Sequence, residues 1–224
     1  MSGSPPRRQQ RQHETRRRLL DAAAATFTAK GYHGASVSEI VATAGYTTGA
    51  LYANFDSKEH LFLELIDEHL DKQRSDVDAL LREGDPAAFQ QGLRARIEGL
   101  IRGLAQSGDV REPAQGGEGL TSAQVQTLTL EFLLFAVRHR PDLRRAIARR
   151  HRAFEAQLAE VVARWLALEG RQAALAPAEL AMVQSWVTEG LGLRLLQDPS
   201  LVTAEHAADL LQAIMLGLAP REGP

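Results

Sequence analysis

Residues 36–60 read SVSEIVATAGYTTGALYANFDSKEH, and three helix starts fall inside this stretch. Ser36 and Glu39 have the spacing of a capping box, in which each side chain satisfies an orphan backbone N–H of the first turn. Ala35 and Ile40 flank that start at the spacing of a hydrophobic staple. Ile40, Val41 and Ala44 give the short helix a small apolar face, and Gly45 stands where the chain must leave it with positive φ, which only glycine adopts cheaply. Thr47 caps a second helix, whose Leu51 and Phe55 lie four apart on an inward face while Thr48, Gly49 and Tyr52 fall on the opposite, exposed side. Ser57 caps a third, with Lys58 and Glu59 in its first turn and Leu61, Phe62, Leu65 and Ile66 as its buried side. Two short helices about a tight glycine turn, the second with a free polar face, form the layout that seats a helix in the major groove of DNA.

With these residues in place, the sequence resembles the TetR family of transcriptional regulators over roughly residues 14–66. Leu19, Ala22, Ala23, Phe27, Gly31 and Tyr32 match the family's first helix and its exit, and Val37, Ile40, Ala44 and Gly45 its second helix and turn. Leu51, Tyr52, Phe55, Ser57, Lys58, Glu59 and Leu61 match the third helix and the start of the fourth. Thr48 and Asn54 depart from the pattern, standing where the family often carries a basic residue and a histidine or tyrosine. Those departures bear on base preference, not on binding. A plain three-helix bundle with no nucleic-acid partner would use the same caps, and the fixed spacings of the whole set argue against it.

Charge placement fits a polyanionic partner better than the net value does. The formal net charge is −2, yet residues 1–18 carry six arginines against Glu14 alone, a balance of 6 − 1 = +5, so the remainder sums to −2 − 5 = −7. A basic arm over residues 1–12, leading into the helix pair, suits phosphate neutralisation with counterion release. An arginine-rich end is also a common solvated tail. There is no cysteine, which excludes disulfides, thiolate metal sites and cysteine nucleophiles. No apolar run reaches membrane-spanning length and no signal-peptide core follows the first charges, so a soluble cytoplasmic protein is expected.

Every long segment has helical period and none has the alternation of a strand, so the expected fold is all-α. An N-terminal helix-turn-helix domain at 13–60 is to be followed by a helical effector-binding and dimerisation domain at 61–224. Helices are expected from about Glu14 to Lys30, from Ser57 to about Arg82, and from Pro86 with the stripe Phe89, Leu93, Ile97, Leu100, Ile101 and Leu104. Residues 106–120, with Gly116, Gly117 and Gly119, read as loop; no Lys-Ser or Lys-Thr follows them, so they are no phosphate loop. The run LTLEFLLFAV within 121–138 is apolar nearly all round and should lie at the centre of the second domain. Further helices are expected over 141–168, 177–196 and 203–217.

A single reading helix touches few base pairs, so useful specificity calls for two copies on half-sites about 34 Å apart. Homodimerisation is therefore expected, through helices near 141–168 and 177–196, the second being apolar on faces that one core cannot use. Thr47 and Tyr52 are candidate phosphate contacts, with Lys58 adding charge and Ser36 and Ser38 near a helix start; Thr48 and Gly49 are candidate base-edge positions. The family resemblance implies a ligand-responsive repressor of a palindromic operator, with a small-molecule pocket in the second domain. Phe89, Leu93, Ile97, Phe132 and Phe135 are candidate lining residues, and equally ordinary core. Glu131, a lone carboxylate in an apolar run, needs a partner if buried: an effector, Arg94 or Arg96, or water. No cofactor, metal site or catalytic group is expected, because His139 and His151 sit among arginines and Asp67, Glu68, His69 and Asp71 have no acid–base spacing. The rival reading is an effector-independent architectural DNA-binding protein, which a solid second core would favour over an open one.

Overall fold

The computed structural model describes residues 7–105 and 120–219. Its described elements are α1 (Arg7–Gly34), α2 (Val37–Ala44), α3 (Thr48–Tyr52), α4 (Lys58–Arg82), α5 (Pro86–Ala105), α6 (Ser122–His139), α7 (Pro141–Glu169), α8 (Pro177–Gln197) and α9 (Ala204–Leu218). All but one residue of the expected 106–120 loop lies outside the described residues.

The chain chemistry accounts for these boundaries. Ser36 and Glu39 form the full capping box of α2, Gly45 closes it at φ 73°, and Thr47 and Ser57 accept N–H groups at the starts of α3 and α4. Thr121 and Gln124 form a second capping box on α6, and Gly170 ends α7 in the left-handed region. One boundary differs from expectation: α1 begins at Arg7, inside the stretch expected as a flexible arm. Arginine and glutamine are good helix formers, so nothing in residues 7–12 breaks the helix that follows.

Helix α1 breaks at Gly31, whose φ 71° and ψ 170° fall in a region essentially reserved for glycine. The break frees the Tyr32 N–H, and Glu131 of α6 accepts it at 2.7 Å. A Cβ at Gly31 would stand 2.8 Å from that carboxylate, so backbone conformation and close approach both demand glycine.

That contact belongs to a continuous core. Phe27, Tyr32, Phe62 and Phe132 are all essentially buried and meet ring to ring, with Tyr32 and Phe132 at 4.8 Å and Phe62 and Phe132 at 4.6 Å. Leu128, Phe132 and Ala136 of α6 and Leu143, Ala146 and Ile147 of α7 share one hydrophobic cluster with α1–α4. So α6 is not surrounded on all sides as its composition suggested: one face docks on the N-terminal helices, while Leu134 and Val137 remain exposed. Two further clusters fill the remainder, one between α4, α5, α7 and α8 around Val77, Phe89 and Leu180, the other around Ile101, Leu195 and Leu211.

One face of α7 is buried by its own chain. Its stripe Leu143, Ile147, Leu158, Val161 and Val162 is buried, and Arg150 grips Asp67 of α4 through two bonds of 2.6 Å. Besides Leu134 and Val137 of α6, exposed apolar residues include Leu168 near the end of α7, Trp186 and Leu193 on α8, and Leu210 and Ile214 on α9.

Candidate DNA-reading face and effector cavity

Helix α3 is a single turn and a half, too short to persist alone, and its orientation comes from its surroundings. Leu51 is fully buried beneath it and Phe55 follows into the same core. Arg16 of α1 clamps the exit of α3: its guanidinium donates to the Asn54 carbonyl at 2.7 Å, pairs with Glu64 at 2.6 Å and lies 4.3 Å over the Phe55 ring. With its inner face fixed, α3 turns Thr47, Thr48, Gly49 and Tyr52 outward, all exposed, the Tyr52 ring 53 % so. An aromatic ring left bare in a polar strip on an immobilised helix is the notable feature of this surface.

The other candidate residues divide. Ser38 is exposed near the start of α2; Ser36 is half-buried, its hydroxyl used in the capping box and 3.0 Å from that of Ser38. Lys30 pairs with Glu39, which together with Ser36 holds the Glu39 carboxyl down from 4.5 to about 2. Lys58 is turned inward, not outward as its first-turn position suggested. Its ammonium donates to the Tyr32 and Ala35 carbonyls, each at 2.7 Å, and sits 4.5 Å over the Tyr32 ring. Burial draws its pKa below the ordinary lysine value. The orphan carbonyls past the broken end of α1 need a donor, and Lys58 supplies it. Arg17 and Arg18 likewise pair with Asp21 and Glu14, so the basic run is partly neutralised within the helix.

The candidate pocket residues also separate. Phe132 is sealed in the N-terminal core, Phe135 packs against His33 and His139, and Glu131 is taken by the Tyr32 N–H and by neither Arg94 nor Arg96. Phe89 is fully buried with Arg164 over its ring. Leu93 and Ile97 do line open space: a cavity of about 510 Å3 among α4, α5, α7, α8 and α9, with Ile97 shared by a second of about 260 Å3 that reaches α6. Thr129, Leu130 and Leu133 of α6 face this second cavity. Sequence periodicity missed them because α6 is apolar on several faces.

Residues 19–65 match the family model described as "Bacterial regulatory proteins, tetR family". That region is of the TetR family. The family so described consists of bacterial regulatory proteins. Over 70 residues the chain is 47 % identical to the HTH-type transcriptional regulator YdgC of Bacillus subtilis (strain 168), a match covering 31 % of this chain and 36 % of that protein. Over 109 residues it is 35 % identical to the A-factor receptor protein of Streptomyces griseus, covering 43 % of this chain and 40 % of that one. The chain thus spans well under half the length of these curated relatives. A TetR-family regulator of Mesorhizobium loti superposes with a TM-score of 0.65 at 21 % identity, over 93 % of this chain and 98 % of the other, so the all-α TetR fold extends beyond the region of sequence match. No helix among the described residues is long and apolar enough to cross a membrane.

Proposed function

We propose that this TetR-family chain is a homodimeric, ligand-responsive repressor that reads a palindromic operator through α3 and acts in the cytoplasm. The observation that carries this reading is the bare polar strip Thr47, Thr48, Gly49 and Tyr52 on a helix held rigid from behind. Thr47 and Tyr52 suit phosphate oxygens, with Ser36 and Ser38 beside them; Thr48 and Gly49 stand where a base edge is approached, the threonine methyl suiting a thymine methyl. Lys58 serves this face indirectly, by tying α4 to the end of α1.

The division into a reading domain at 13–60 and a sensing and dimerising domain at 61–224 is part of the same proposal. The bare apolar residues of α8 and α9 favour dimerisation through these two helices, in preference to the expected pair 141–168 and 177–196, where α7 offers Leu168 alone. Ligand response is supported by α6, which carries Glu131 and Phe132 into the reading domain and Thr129, Leu130 and Leu133 onto the cavity wall. A ligand that favours one position of α6 shifts the reading domain, and operator affinity falls by the ratio of ligand affinities for the two states.

Fluorescence anisotropy with a pool of random-sequence duplexes tests the reading. Expected are binding that weakens steeply with added salt and a roughly tenfold loss with Tyr52→Ala, the worth of about 1.4 kcal/mol. Absence of binding at low salt contradicts it.

A further inference from the structure

The two cavities meet at one arginine. Arg96, Ile97, Leu158 and Gln184 belong to both walls, and Arg96 also faces the open groove between α4 and α5. The other two arginines on the larger cavity are committed: Arg94 to Glu98 and Asp209 at 2.8 Å each, Arg171 to Glu169 and to the Ala219 carbonyl at 3.0 Å. Arg96 is half-buried and forms no hydrogen bond or ion pair with any described residue. Asp76, exposed on α4, is the carboxylate whose field reaches it, and burial draws its pKa down. A half-buried guanidinium without a partner has lost part of its hydration, and an anion brought to it offsets that loss.

The smaller cavity supplies the setting for such a group. Its wall is dominated by Leu70, Leu100, Ile101, Leu104, Leu133 and Phe154. The Thr129 hydroxyl on the same wall is buried with no hydrogen-bond partner. His69, also on the wall, is drawn toward its neutral form by burial, and two further lining residues are the half-buried His151 and the exposed Glu189. A planar fork of donors at one end of an apolar chamber matches a carboxylate on a hydrocarbon body, since guanidinium pairs carboxylate through two parallel bonds.

We propose that the effector is an amphipathic organic acid, its carboxylate on the Arg96 guanidinium and its hydrocarbon part among Leu100, Ile101, Leu133 and Phe154. This deepens the ligand-responsive reading and rests on it. At about 260 Å3 the chamber is at the small end of ligand sites, so a short-chain or single-ring acid fits better than a long acyl chain.

Titration calorimetry on the full chain with octanoate, 1-octanol and octylammonium tests the assignment. Octanoate should bind at least about tenfold tighter than either analogue, as a charge-assisted pair implies. Arg96→Met should erase that preference, keep the affinity for 1-octanol, and unfold at the same or a higher temperature because an unpaired charge has been removed. Arg96→Lys should keep part of the preference. Equal binding of acid and alcohol, or an acid preference that survives Arg96→Met, overturns the anion assignment and leaves the sensing reading standing. Failure of all three probes to bind overturns both.

Discussion

At the scale of single residues, the structure separates side chains that face outward from side chains that hold the reading face in place. Tyr52 and Lys58 stand on successive helices, at the end of α3 and the start of α4, yet one is bare and the other donates to two carbonyls. Tyr52→Ala should therefore weaken DNA binding on every sequence while leaving the urea midpoint unchanged. Lys58→Met should do the reverse first, lowering stability by about 2 kcal/mol as two charge-assisted bonds are lost. Equal midpoints for the two variants would contradict this division. Gly31→Ala tests the junction: the backbone there suits glycine alone and the new methyl meets Glu131, so a loss of about 2–3 kcal/mol in denaturant unfolding is expected. A loss under about 0.5 kcal/mol would show that the strain relaxes freely.

At the scale of elements, part of the acid limb of stability should trace to α2, beside the contribution of Asp142, which Arg140 holds down to about 2 at the start of α7. Glu39 has its pKa lowered from 4.5 to about 2, chiefly by Lys30 and then by Ser36, so its contribution is complete above pH 4.5 and disappears as pH falls through 2. Glu39→Gln should flatten the stability profile between those values and leave its slope near neutrality unchanged; an unaltered acid slope would refute the assignment. Helix boundaries were legible because caps are local chemistry: Ser36 with Glu39, Gly45, Thr47 and Ser57 each act within a few residues of themselves. The roles of α6 and α7 were not. An all-round apolar run says that a helix is covered without saying by what, and Glu131 finds its partner at Tyr32, ninety-nine residues away. Lys58 misled for the same reason, since the carbonyls it serves come from the end of another helix. The outward strip on α3 was legible because its inward partners, Leu51 and Phe55, lie on the same few residues.

At the scale of the whole molecule, the proposed function makes specificity depend on two copies held at a fixed separation. Trp186, 58 % exposed on α8, is the largest apolar group left bare there, and Trp186→Glu should shift sedimentation at micromolar concentration from dimer to monomer and reduce operator affinity with it. An unchanged dimer would place the interface elsewhere. The central claim is that α3 meets the major groove twice, one DNA turn apart. Repeated selection of bound duplexes from a random library tests it most directly. The enriched sequences should be inverted repeats with half-site centres about 34 Å apart, and preference at one position in each half should change with Thr48. Enrichment of a single unrepeated site, or no enrichment at all, would contradict it.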